Sequence, residues 1–84
     1  MGVGTKEEQL ARVREIQTLQ SKYKVKERLA RLGKTQAWMI KQLAAHELYV
    51  GTSELSTILG GLSVYPKTLT VLHACNDILS EHEG

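Results

Sequence analysis

The chain has 84 residues with 42% hydrophobic content, three Tyr, one Trp and no Phe, which suits one small domain with a mostly aliphatic core. A single Pro among seven Gly argues against a turn-rich β architecture. The net charge of +2 conceals an asymmetry: residues 22–41 carry seven bases against Glu27 alone, a local +6, while residues 42–84 carry Lys67 against five acids, a local −4. Such a basic block is an electrostatic footprint that can meet phosphates, although cations also serve simply to keep a helix face solvated. The lone Cys75 has no internal disulfide partner, and His73 and Cys75 point different ways on a helix. No metal ligand set or cofactor is therefore expected, and cysteine usage fits a reducing cytoplasm. No apolar run is long enough to span a membrane.

Met1-Gly-Val-Gly is expected to be loose. Thr5-Lys-Glu-Glu then reads as a capping box opening a helix from about Thr5 to Ser21, with Glu8 and Arg12 as a favourable i,i+4 pair. Its apolar residues Leu10, Val13, Ile16 and Leu19 are spaced by three throughout, so the stripe drifts around the helix and holds no heptad seam. This helix is expected either to pack on its own domain or to support a dimer. The apolar phase breaks between Ser21 and Lys24, which places an N-terminal helical extension over 1–22 and a second unit over 23–84.

Val25, Leu29 and Leu32 form the next helical stripe, stopped by Gly33. Thr35 caps a third helix whose Trp38, Met39, Ile40 and Leu43 give a face broad enough to need contact on more than one side, ending near Ala45 or His46. Leu48-Tyr49-Val50-Gly51 reads as an extended connection. In Thr52–Gly61, Leu55, Ile58 and Leu59 fall on one face and the hydroxyls of Thr52, Ser53, Ser56 and Thr57 on the other, with Thr52 or Ser53 as a cap and Gly60-Gly61 as the stop. Hydroxyl residues are ordinary at helix ends, so this face can equally be a solvated surface. Leu62-Ser63-Val64-Tyr65 forms a loop, Pro66 starts the last helix, and Leu69, Leu72, Cys75 (or Val71), Ile78 and Leu79 carry the pattern to a tail expected to fray after Ser80. The sum is an all-α bundle of about five helices.

Two short helices joined by a connector, the second polar on its outer side and followed by a glycine and a proline, have the order of a helix-turn-helix. Residues 25–79 resemble the lambda-repressor-like helix-turn-helix domains of phage and mobile-element repressors and their Cro-type relatives. Val25-Lys-Glu-Arg-Leu29 with Leu32-Gly33, Thr35-Gln36, Leu55 with Ile58, and Gly61 with Pro66 carry the resemblance. It implies a transcriptional regulator, not an enzyme, that binds double-stranded DNA as a homodimer. Thr52, Ser53, Ser56 and Thr57 would then read base edges in the major groove, while Arg28, Lys34, Thr35, Gln36 and Lys67 meet the DNA backbone. The chain departs from the pattern in a lengthened connector, Ala44 where the turn glycine is usual, Ile40 where a small residue is usual, and the apolar loop Leu62–Tyr65 where bases are frequent. That loop motivates a different expectation, a module gripping a partner protein through Leu62, Val64, Tyr65 and the N-terminal helix. No paired carboxylates, Ser-His-Asp set or phosphate-binding glycine loop points to catalysis.

Overall fold

Helix-forming residues between a few left-handed breaks produce an all-helical chain. The computed structural model describes residues 6–61 and 65–83, whose regular elements are α1 (Lys6–Tyr23), α2 (Val25–Leu32), α3 (Gln36–Ala45), α4 (Thr52–Leu59) and α5 (Pro66–Glu83). The expected cap at Thr5 and the loop residues Leu62, Ser63 and Val64 lie outside the described residues. α1 runs two residues beyond its expected end at Ser21 and stops at Lys24, whose φ of 48° is left-handed. Lys24 still accepts from Arg28 N–H and donates to Gln20 O, so α1 and α2 meet at a one-residue corner. Gly33, at φ 70°, closes α2 with its N–H on Ala30 and Leu29 carbonyls, as its lack of Cβ permits.

Thr35 begins α3 in an extended conformation, its hydroxyl accepting from Trp38 N–H at 3.1 Å. The end of α3 is less orthodox. His46 is the C-terminal cap and Glu47 takes the left-handed conformation at φ 63°, the task a glycine would perform with less strain. Leu48 is then half-buried, Tyr49 is exposed and Val50 is buried, the in–out alternation of an extended segment. α4 is capped by Gly51, with no side-chain cap bond, so neither Thr52 nor Ser53 serves as the expected cap. The reason is register: the helix already includes both residues, and Leu55 N–H bonds to Gly51 O. Gly61, at φ 80°, ends it.

α5 is the centre of the packing. It buries Thr68, Val71, Leu72, Cys75, Ile78 and Leu79 and lies against α1, α2 and α3, while α4 packs on α3. Ile16 and Leu19 from α1 enter the same core as Val25, Leu29, Met39, Leu43, Val50, Leu55, Ile58 and Leu59. The boundary expected after residue 22 therefore falls inside a shared core, and only the first half of α1 stands clear of it, with Leu10 57% exposed. Trp38 and Ile40 pack partly buried against the core beside Met39, which accounts for the breadth of α3's apolar face. The Cys75 thiol is pushed up to about 12 by burial, as befits a core hydrophobe.

α5 stays helical through Glu83, past the expected fraying point at Ser80. Arg28 of α2 reaches across to it, donating to Glu83 at 2.9 and 2.8 Å, to Asn76 Oδ1 at 2.9 Å and to Ser80 Oγ at 3.3 Å, and also to Tyr23 O at 3.0 Å. His82 stacks edge-on against Trp38, ring centroids 4.9 Å apart. Hydrogen bonding from Arg28 holds the Glu83 carboxyl below the usual carboxylate range. A carboxyl so depressed stabilises the native chain above its unfolded pKa and ceases to do so as pH falls through its native pKa. Glu83→Gln is therefore expected to lower the thermal midpoint at neutral pH, with the gap to the parent closing on acidification in a pH series of melts. Glu47→Gly is expected to raise stability by up to about 1 kcal/mol in denaturant titration, by relieving left-handed strain at an exposed position.

Candidate nucleic-acid interface

α4 has three large apolar side chains, and all are spent on the core: Leu55, Ile58 and Leu59 are 0%, 2% and 6% exposed. Helical geometry then leaves Thr52, Ser53, Ser56 and Thr57 on the outside, and all four are exposed. Both ends of α4 are fastened by polar bonds from elsewhere. At its C-terminus, Gln20 of α1 donates its side-chain amide to Ile58 O, a carbonyl that also accepts from Gly61 N–H at 3.2 Å. At its N-terminus, Lys67 of α5 donates to Tyr49 O at 2.9 Å and pairs with Glu54 at 3.2 Å. With both groups nearly half exposed, that ion pair adds little stability, but it places a cation beside the first turn of α4 and neutralises the acid there.

The hydroxyls are not equivalent. Ser56 donates to Gln36 Oε1 at 2.9 Å, bridging α4 to the first residue of α3. Thr57 donates to Ser53 O at 2.9 Å, a back-bond within the helix. Each of these two oxygens therefore keeps its lone pairs for an outside donor, and Thr57 adds its methyl group. Gln36, with Oε1 engaged, has its amide N–H groups to offer. Thr35 and Gln36 thus stand at the N-terminus of α3, where the backbone N–H groups and the helix dipole favour an anion.

The cations expected around this face divide sharply. Lys34 has its ammonium 5.4 Å from the Trp38 ring centroid and, with Lys26, Leu29, Ala30 and Gln36, lines a shallow depression at the start of α3. Gln36 is therefore common to the hydroxyl face and to the lysine-lined depression, which puts the two side by side. Arg28 is elsewhere in role: its guanidinium is committed to Tyr23, Asn76, Ser80 and Glu83, and its side chain is only 13% exposed. It is a clasp between α2 and α5, with its N–H donors directed inward to the fold, and we leave it out of the interface. Lys26, on the same helix, lines the depression beside Lys34 and Gln36. In the sequence Lys26 is one of the seven bases of residues 22–41, and its signal is the turn at Gly33, which folds Lys34 back beside the preceding helix.

No group of three or more His, Cys, Asp or Glu among the described residues could hold a metal ion, and no described helix is long and apolar enough to cross a membrane. No family model matches the chain, and neither does any curated protein or solved structure. The Gln36–Ser56 bond is the local link that sets α3 against α4 on the outer side. In a double-mutant cycle of Gln36→Ala and Ser56→Ala, measured by denaturant unfolding, the coupling is expected to be about 0.5–1 kcal/mol, the value of an exposed hydrogen bond.

Proposed function

We propose that this protein is a sequence-specific DNA-binding regulator of the helix-turn-helix type, with α3 and α4 as the two helices and α4 entering the major groove. The observation that carries the reading is the outer face of α4, small and hydroxylated, adjoining the cationic start of α3 through Gln36. A helix must approach the floor of the groove closely to touch base edges, and α4 has no long outward side chain except Glu54, which Lys67 neutralises. Thr35 and Gln36, with the free N–H groups of the first turn of α3, meet one phosphate, and Lys26, Lys34 and Lys67 meet its neighbours. Ser56 and Thr57 present acceptors, which suits the amino groups of adenine and cytosine, and the Thr57 methyl suits a thymine methyl. Thr52 and Ser53 complete the reading face. The chain acts in pairs on half-sites about 34 Å apart.

Exposed Tyr65, at 71%, and Leu10 beside it favour a second reading, in which the same fold grips a partner protein through the loop before α5 and the N-terminal helix. Nuclease treatment before a pull-down separates the two, because only a protein partner survives it.

The DNA reading is tested by titrating random and selected duplexes over a range of salt. Affinity is expected to fall steeply with salt and to favour one duplex family. Ser53→Ala or Thr57→Ala is expected to cost about 1 kcal/mol or more on the preferred duplex and little on random DNA. Lys34→Ala is expected to weaken both alike and to reduce the salt slope by about one. A flat salt response, or equal affinity for every duplex, removes the reading.

A further inference from the structure

The first half of α1 extends beyond the core that its second half helps to build. Ile16 and Leu19 are buried, whereas Leu10 is 57% exposed and Val13 half-buried. Beside them, Tyr65 and Pro66 at the start of α5 complete an apolar groove edged by Lys6, Gln9 and Arg12. A Leu and a Tyr exposed side by side in so small a domain make a patch that water solvates poorly.

The charges around Leu10 specify what covers it. Glu7 and Arg14 are one heptad apart and both exposed, so they lie on the same edge of the helix, flanking Leu10. In a parallel pair of such helices this edge would lie against the partner's opposite edge, where Arg14 meets the neutral Gln9 and no attraction results. In an antiparallel pair related by a two-fold axis near Leu10, each Glu7 faces the other copy's Arg14, and the attraction occurs twice by symmetry. The segment 6–15 is electrically neutral as a whole, with Lys6, Arg12 and Arg14 against Glu7, Glu8 and Glu15, so two copies approach without net repulsion. We propose that a second copy of this chain covers the groove, through antiparallel pairing of the first half of α1 with Leu10 and Tyr65 at its centre and reciprocal Glu7–Arg14 ion pairs at its edges.

This pairing gives a surface to the paired state in the proposed function, yet it is tested without DNA. Sedimentation equilibrium on the full chain, from roughly 10 µM to 1 mM to cover the weak end expected of a small interface, reads it directly. The parent chain is expected to dimerise, and Leu10→Ala to lose the dimer while matching the parent's thermal midpoint at concentrations low enough for both to be single copies, where Leu10 is exposed. Glu7→Arg and Arg14→Glu alone each set like charges face to face twice and are expected to weaken the dimer roughly tenfold or more. The two together restore opposite pairs and are expected to recover most of it.

A parent chain that stays monomeric throughout overturns the proposal. So does a dimer indifferent to Leu10→Ala, or a double reversal that recovers nothing. A monomer whose thermal midpoint drops in Leu10→Ala places the cover of the groove within the chain itself and also overturns it. The DNA reading fails separately: a chain that pairs as described but prefers no duplex supports the pairing and removes base reading, whereas a monomer that selects a duplex does the reverse.

Discussion

The burial of one side of α5 is the constraint on which the other elements depend. An isolated helix of eight or ten residues is marginal in water, and α2, α3 and α4 are all of that length. Their helicity therefore comes from docking, and the long apolar stripe from Val71 to Leu79 is what α1, α2 and α3 dock against. α4 is held at one remove, by packing on α3, by Gln20 from α1 and by Lys67 from α5. This arrangement commits the whole apolar side of α4 inward. Its outer side is thus free of packing duty, which is why it can be small, polar and exposed at no cost to the core.

Polar bonds then decide orientation where burial decides only proximity. Leu55, Ile58 and Leu59 would tolerate some sliding of α4 across the core, since hydrophobic contact is non-directional. Gln20 at one end and Ser56 on Gln36 near the middle fix its axial position, and the Lys67 bond to Tyr49 O fixes the connector that leads into it. Among the longer-range polar contacts of α2, Arg28 performs the same service for the end of α5. The chain spends its directional interactions at element ends, where orphan backbone groups and mobile side chains would otherwise permit drift.

Period and punctuation made most of this fold legible beforehand. The i, i+3, i+4 spacing named the buried residues of α4 and most of those of α5, missing Thr68 and including the half-buried Leu69, and Gly33, Thr35, Gly61 and Pro66 marked where helices stop and start. Two kinds of feature were illegible. One was the use of non-glycine residues, Lys24 and Glu47, in the left-handed conformation, since nothing in their chemistry marks them for it and only tertiary packing compensates the strain. The other was the partner of each long polar side chain. Arg28 looks like any member of a basic block until α5 is placed beside it, because the contact spans 55 residues, and it meets a last turn that is helical where sequence alone suggests an unravelled tail. For the candidate interface, composition identified the hydroxyls, but their unequal donor roles depended on Gln36 and Ser53 lying within reach.

Trp38 is the only tryptophan in the chain, and it sits where three elements meet: on α3, two residues from Gln36, with Lys34 near its face and His82 of the last helical turn against its ring. Indole emission shifts when the ring meets water. The molecule accordingly carries a built-in optical gauge, whose signal follows the seating of the C-terminal turn and any contact made at the start of α3, with no extrinsic label attached.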